Sequence, residues 1–393
     1  MSCVVIVGGG LAAQRCAETL RRSGYEQWIL MICGVPHLPY ERPPLSKELL
    51  LTASVEESLS FRSAGWYEEQ AVALGLGVRA VGLDEREMTV HLGDGSRVSY
   101  ERLLIATGAR PRRPRMFDGF ENVTTLRTRE DAARLRAALV PGTRLLVVGA
   151  GFIGQEAASA ARAAGVQTTI IETASAPLQS VLGSELGTWF ADLHRANGVE
   201  LLLGHRVAST RGNGRLDRVM IDDGRTIGCD HVVLGVGVDP DLQWLSSTVL
   251  GGPRSGRCGV RTDVDGRSEI PGVFAAGDAA AAFEPLLERH VRGSHWESAA
   301  RNGARAARAM LGLEQAPPGV SSFWSNLYGT RVHYLGHASL ADAVAVDGDP
   351  ERGEFTATFS SGERAVAVLL VGRPRLLPQA RELLRATTEM ALA

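Results

Sequence analysis

The sequence predicts an α/β fold on three observations. Two strand, glycine-turn, helix units lie far apart along a 393-residue chain, strand-like and helical segments alternate through both, and after a Pro317-Pro318-Gly319 linker the pattern changes to strands closed by one helix. Together they give two Rossmann-like nucleotide-binding domains plus a C-terminal α+β domain. The length and the 45% hydrophobic content are sufficient for several cores.

The first unit is Cys3-Val4-Val5-Ile6-Val7, then Gly8-Gly9-Gly10-Leu11-Ala12-Ala13, then a helical pattern that stops near Ser23-Gly24. Gly8 permits the turn, Gly10 lets backbone approach a pyrophosphate, and Ala13 stands where a third glycine would let helix pack on strand. A phosphate there meets the free N–H groups and positive end of the helix. The second unit is Arg144 to Val148, Gly149-Ala150-Gly151-Phe152-Ile153-Gly154, an alanine-rich helix, Gly165, and a strand from Gln167 to Ile171. It has all three glycines. Its strand ends at Glu172, where a carboxylate can accept from a ribose 2'-OH, and no arginine follows through Val181 to clamp a 2'-phosphate, so NADH is expected rather than NADPH. One such turn is weak evidence. Two in context point to two dinucleotides, a tightly bound flavin and an exchangeable nicotinamide, whose rings meet between domains.

Between the units, Met88 to Leu92 alternates into a Gly93-Asp94-Gly95 turn, and Arg102 to Ala106 runs as a strand into Thr107-Gly108. After the second unit come a helix over 185–196 and short strands over 199–203, 216–221 and 231–234. Ile270 to Ala276 reads as a buried strand entering Gly277-Asp278, with Asp278 beside the start of a helix, so the chain returns to its first domain. Helices over 297–311 and 378–390 flank the linker and the last strands. The expected division is 1–112 with 238–317, then 113–237, then 318–393.

Composition narrows the function. Lys+Arg 42 against Asp+Glu 44 leaves a net charge of -2, without the positive field of a nucleic-acid binder. All but one of the basic residues are arginine; the exception is Lys47. Cys3, Cys16, Cys33, Cys229 and Cys258 form no C-x-x-C pair or cluster spacing, and His290 and His295 lack a third ligand, so neither a dithiol relay nor a metal site is expected. No apolar stretch reaches about 18 residues, and the expectation is a soluble cytoplasmic protein, with no membrane contact, as a monomer or weak dimer.

Several segments carry a resemblance: Pro36-His37-Leu38-Pro39-Tyr40-Glu41-Arg42-Pro43-Pro44-Leu45-Ser46-Lys47, Ala106-Thr107-Gly108-Ala109-Arg110, Gly149 to Glu156, Gly235-Val236-Gly237-Val238, Ala276-Gly277-Asp278 and Phe323-Trp324-Ser325-Asn326. Over nearly its whole length the chain resembles the FAD-dependent NADH:ferredoxin reductases that serve bacterial cytochromes P450 and ring-hydroxylating dioxygenases, within the glutathione-reductase-like fold group. The resemblance implies FAD and NADH as cofactors. It implies a [2Fe-2S] or related ferredoxin as partner, and a C-terminal domain lining the flavin pocket. By likeness Arg42 and Lys47 contact the flavin side of FAD, Arg110 the pyrophosphate region and Asp278 the ribityl-pyrophosphate region. Glu156 lies near the nicotinamide–flavin contact, with Gly237 in the same motif set, and Trp296 and Trp324 flank the isoalloxazine. Lys47, Glu156, Trp296 and Trp324 are the expected catalytic set, orienting and tuning rather than forming covalent intermediates.

One departure stands out. The resembled proteins end the strand after the first glycine turn with a carboxylate that holds the FAD ribose; here Val35 occupies that place, and weaker FAD binding is expected. Ferredoxins in such systems are usually acidic, which makes Arg112, Arg113, Arg115, Arg289, Arg292, Arg301, Arg305 and Arg308 docking candidates. Two other functions suit the same residues: a flavoenzyme acting directly on a small metabolite or quinone, and a noncatalytic NADH-sensing protein.

Overall fold

The structure, a computed structural model, describes residues 3–251, 258–293 and 295–392. Its first sheet is wholly parallel, in the order Val273–Ala275, Arg102–Ile105, Cys3–Val7, Trp28–Cys33, Val72–Leu76. Cys3–Val7 is apolar at every position because both faces are covered. Val4 and Ile6 pack under the helices Leu11–Arg22 and Trp296–Met310, while Val5 and Val7 face Leu83, Val90, Trp244 and Leu245.

The second sheet repeats the plan: Glu200–Leu203, Gln167–Glu172, Arg144–Val148, His231–Leu234 and Val123–Thr125, all parallel. The glycine turns are structural copies. A Cβ at Gly8 would stand 2.1 Å from the Ala106 carbonyl oxygen, and one at Gly149 2.5 Å from that of Gly235, so in each unit the first turn glycine abuts the chain leaving a neighbouring strand. Both have positive φ, 141° and 103°. Gly154 is needed for another reason: its Cβ would lie 2.1 Å from the Gly149 carbonyl oxygen. Ala13, at the matching place in the first unit, is fully buried without such a conflict.

The third sheet is antiparallel, in the order Ser322–Leu327, Thr330–Gly336, Arg364–Val371, Glu354–Ser361, Ala343–Asp349. One face packs on the closing helix Leu377–Leu392 through Leu335, Val368, Leu370, Ala380 and Leu384. The other buries Phe323, Leu327, Tyr334, Phe355 and Leu369 against Leu182, Leu186 and Phe190 of the helix Gln179–Ala196. The third unit is thus bolted to the second nucleotide fold. The two chain passages between the parallel sheets run side by side as an antiparallel pair, Ala109–Pro111 with Val238–Pro240.

Three local expectations differ from what is observed. The helix expected from 185 begins at Gln179 and kinks at Gly183 (φ 81°, ψ 171°), a glycine that reads from sequence as a stop. Val207–Asn213 is an additional strand; its two register shifts and exposed side chains erase the alternation that would reveal it. Asp278 opens no helix: Gly277–Ala279 is one 3-10 turn leading to the strand Ala280–Glu284, and the turn packs on two distant helices, a Cβ at Gly277 lying 3.1 Å from Ala12 Cβ and 3.8 Å from Ala299 Cβ. Among the docking candidates, Arg305 is buried, donating to the carbonyls of Val264 and Ala316 and pairing with Asp265, while Arg301 donates to the Val320 carbonyl; both brace the chain leading into the third sheet.

Two outcomes are expected. A Cβ at Gly303 would lie 2.2 Å from the Ala12 carbonyl oxygen, where two helices touch through backbone. Gly303→Ala therefore costs about 1–3 kcal/mol of overpacking, outweighing the ~1 kcal/mol that alanine gains over glycine in a helix, and lowers the thermal midpoint. Burial pushes the imidazoles of His194 and His231 down to about 4 from the ordinary 6.5. The unfolded chain takes up protons that the fold refuses, so stability present above pH 6.5 is lost toward pH 4, by up to about 3 kcal/mol per histidine. Denaturant midpoints should already fall between pH 6.5 and 5, above the ordinary carboxylate range, and His231→Gln should flatten that slope.

Candidate functional site

A cleft of about 400 Å³ opens where the carboxyl ends of the two parallel sheets approach one another. Crevices at that end of open α/β sheets are the places where such folds bind ligands, and the volume is within the usual range for ligand pockets. Gly10, Leu11 and Ala12 of the first glycine turn line one end; Gly151, Phe152 and Gly237 come from the second fold, and Phe323 and Trp324 from the third sheet.

The first end is cationic. Arg42 stands just before the 3-10 turn Pro43–Ser46, and Arg127 follows the strand Val123–Thr125. Their guanidinium groups converge on the glycines: a Cβ at Gly108 would lie 3.0 Å from Arg127 Nη2 and 3.5 Å from Arg42 Nη1, and one at Gly10 would lie 3.3 Å from Arg42 Nη1. Asp278 Oδ2 accepts from Arg127 Nη2 at 3.1 Å. The Arg127 charge, then burial, push the Arg42 guanidinium down to about 10. Two like charges held together at a helix N-terminus form a cradle for a multiply charged anion. Arg127 Nε is also buried without a hydrogen-bond partner. A dinucleotide pyrophosphate fits this end.

At the other end Lys47 Nζ pairs with Glu156 Oε1 at 2.8 Å. Glu156 lies on the helix Phe152–Ala163, one turn past the second glycine turn, and is only 4% exposed. Ser46 Oγ donates to its Oε2 at 2.5 Å and Ser325 Oγ to its Oε1 at 2.7 Å. Lys47 Nζ also donates to the Pro43 carbonyl at 3.3 Å and lies 5.0 Å from the centroid of Trp324, whose ring is also 5.7 Å from Arg331 Cζ. Three segments meet on one carboxylate. The wall beside them is aromatic: Phe152 and Phe323 have centroids 4.3 Å apart, and His295 lies 4.6 Å from Phe323. Burial pushes the His295 imidazole down, against the pull of Asp278. Trp296 lines the cleft, and its Nε1 is buried without a partner, an unsatisfied donor that a ligand acceptor could take. An isoalloxazine ring, flat and edged with acceptors, suits this wall.

Of the residues named from sequence, Gly10, Arg42, Lys47, Gly151, Glu156, Gly237, Asp278, Trp296 and Trp324 line the cleft, with Gly8, Ala13, Gly149 and Gly154 shaping its turns. Glu172 stands at the second turn, where its Oε2 accepts from Ala150 N–H at 2.6 Å and its Oε1 from Ala174 N–H at 2.8 Å. Arg110 is not brought in: it is exposed, with its backbone paired to Asp239. Arg127, not named from sequence, lies beside Arg42 and Gly108 at the cationic end of the cleft. Nothing local marks it, because Leu126-Arg127-Thr128 reads only as the approach to a helix capped by Thr128. Ser46 and Ser325 were likewise missed, although each adjoins a residue that was named. Val35 is half-buried against the apolar cluster that includes Tyr40 and Leu45, and its side chain offers no acceptor. No cysteine lines the cleft, and among the described residues no group of acidic, His and Cys side chains could hold a metal. No helix is long and apolar enough to cross a membrane among the described residues.

The pyridine nucleotide-disulphide oxidoreductase family matches residues 2–303, and the reductase C-terminal family matches residues 322–393. The chain is 36% identical to the ferredoxin–NAD(+) reductase component of the anthranilate 1,2-dioxygenase system of Burkholderia cepacia, over 97% of this chain and 94% of that protein. It is 34% identical to the ferredoxin–NAD(+) reductase subunit of the benzene 1,2-dioxygenase system of Pseudomonas putida, over 98% and 92%. Among solved structures, the covalent putidaredoxin reductase–putidaredoxin complex superposes with a TM-score of 0.93 at 29% identity, covering 99% of this chain and 93% of the other. The ferredoxin reductase for the CYP199A2 system of Rhodopseudomonas palustris gives 0.89 at 28%, covering 99% and 100%.

Lys47→Met strands the Glu156 carboxylate in a buried place and should cost about 3–5 kcal/mol. Lys47→Met combined with Glu156→Gln should recover most of that loss. The check is a double-mutant cycle of urea midpoints; additive losses would mean that the pair is not coupled.

Proposed function

We propose, for a chain that belongs to the pyridine nucleotide-disulphide oxidoreductase family, that it is the FAD-dependent NADH:ferredoxin reductase of an oxygenase system, taking hydride from NADH and passing electrons singly to a [2Fe-2S] ferredoxin. The observation that carries this reading is the joining of a two-arginine cradle at one glycine turn to the Lys47–Glu156 pair beside the other, in a cleft without cysteine. Bound FAD supplies the exchange between two-electron and one-electron chemistry. The protein acceptor is supported by the likeness to ferredoxin–NAD(+) reductase components of dioxygenase systems.

The chain's own residues have distinct tasks. Gly8 and Gly10 admit the FAD pyrophosphate, and Arg42 and Arg127 balance its charge while Asp278 holds Arg127 in place. Lys47 is kept by Glu156 and the Trp324 ring as a compact donor toward the flavin, a role for which a broad planar guanidinium is less suited. Trp296, Trp324, Phe152 and Phe323 exclude water from the place where the two rings meet. Glu172, fixed by the second turn, receives the adenosine ribose of NADH. The residues divide into an FAD domain, 1–112 and 238–317, an NAD domain, 113–237, and a third domain, 318–393, that closes the flavin side. NADH is the cytoplasmic reductant, and the cytoplasm is the place of action.

Cytochrome c reduction by NADH should require an added ferredoxin, and KM should be lower for NADH than for NADPH. Ferredoxin-independent turnover of a small metabolite would remove the partner assignment. Arg127→Gln should weaken FAD binding about 10- to 100-fold, read by fluorescence titration of the apoprotein, because a charge-assisted bond to phosphate is worth about 1.5–3 kcal/mol.

A further inference from the structure

A buried polar chain runs from the third sheet to the backbone of the second glycine turn. Tyr328 directly follows the strand Ser322–Leu327, and its hydroxyl lies 2.6 Å from His194 Nδ1. His194 Nε2 lies 3.1 Å from Gln155 Oε1, and Gln155 Nε2 donates to the Ala150 carbonyl at 3.0 Å. His194 and Gln155 are both 0% exposed. One arrangement of hydrogens satisfies every atom. The Gln155 amide nitrogen is committed to Ala150, so its oxygen accepts; His194 Nε2 therefore carries the proton, Nδ1 is bare, and the Tyr328 hydroxyl donates to it. Burial favours the same state, since it pushes His194 down to about 4 and Tyr328 up.

The chain ends at a consequential residue. Ala150 lies between Gly149 and Gly151, and its N–H is taken by Glu172. The turn is thus gripped on one side by the ribose-binding carboxylate and on the other by a chain anchored in a different sheet. Tyr328 is held firmly at its own end: its backbone N–H donates to Ser159 Oγ at 2.8 Å, and it adopts a left-handed φ of 53°, a conformation strained for a non-glycine residue that persists only where surroundings fix it.

We infer that Tyr328 and His194 are positioning residues for the nicotinamide dinucleotide: acting through Gln155, they set the second glycine turn, so affinity for the nucleotide depends on the seating of the third sheet. Neither residue lines the cleft. The inference rests on the reading that this turn binds NADH.

The test uses the FAD-loaded enzyme. Tyr328→Phe keeps the ring and removes the hydroxyl, leaving His194 Nδ1 without its donor. It should raise the NAD+ dissociation constant, measured by calorimetry, and the KM for NADH about three- to tenfold, with the limiting rate of flavin reduction within about twofold of wild type. Gln155→Met should move both constants in the same direction, and the double variant should go little beyond the larger single change. Unchanged constants in both variants, or a lowered limiting rate with KM unmoved, would overturn the inference. If NADH fails to reduce the wild-type flavin, the NADH reading falls and takes this one with it; normal wild-type reduction with flat variants overturns the positioning chain alone.

Discussion

The buried ion pair between Lys47 and Glu156 is the constraint from which the rest of the cleft takes its shape. Glu156 belongs to the second nucleotide fold, Lys47 and Ser46 to the connection after the strand Trp28–Cys33, and Ser325 to the third sheet. A carboxylate out of water must be paired and hydrogen-bonded, so satisfying this one adds a directional constraint to segments that already share apolar packing, Leu45 and Leu49 with Ala157 and Ala158, and Phe152 with Phe323. The ammonium is shared with the Trp324 ring, and the same contact that neutralises the charge thereby orients the aromatic wall.

The opposite end of the cleft is governed by an imbalance. Arg42 and Arg127 converge with Asp278 as the facing carboxylate, and the fold keeps them there although the Arg127 charge disfavours that of Arg42. Arg305, by contrast, is an arginine whose demands are met by Asp265 and two carbonyls, and its task is to brace the chain. Like residue types are sorted into structural and ligand-facing roles by whether the protein itself completes their hydrogen bonds and charge. That criterion separates Arg127 from Arg110, which is exposed and outside the cleft.

The third sheet does more than close one side. One apolar face is spent on the helix Gln179–Ala196, and its polar contacts go both ways, from Ser325 to Glu156 and from Tyr328 to His194 and Ser159 on the second nucleotide fold, and from Ser322 to Glu297 on the helix Trp296–Met310 of the first. The first and third units also meet directly, through Glu297 with Ser322 and Arg381 and through Lys47 with the Trp324 ring. The two turns differ for a related reason. Gly154 faces a carbonyl within bond-like reach of any added carbon, whereas Ala13 has room, so a missing third glycine in the first turn is tolerated and one in the second is not.

Legibility in the sequence followed the range of the forces involved. Parallel strands, the two glycine turns and the closing helix were readable because periodicity and positive-φ glycines are local requirements. The absence of a cysteine pair was a matter of counting, and Lys47 stood out by composition alone. Arg127, Ser46, Ser325 and the Tyr328–His194–Gln155 chain were not readable, because each acts on a partner brought near only by folding: Arg127 meets Asp278 across 151 residues, and Ser325 meets Glu156 across 169. Arg110 lies outside the cleft lining and Arg127 inside it for the same reason, since two arginines near strand ends look alike until the sheet order decides which one borders the crevice. The sequence by itself determined the two nucleotide folds and the kind of chemistry their turns accept, since those depend on what a short stretch of backbone can do. Only the tertiary structure decided which charges remain unsatisfied and face a ligand, because the cost of burying a charge depends on everything packed around it.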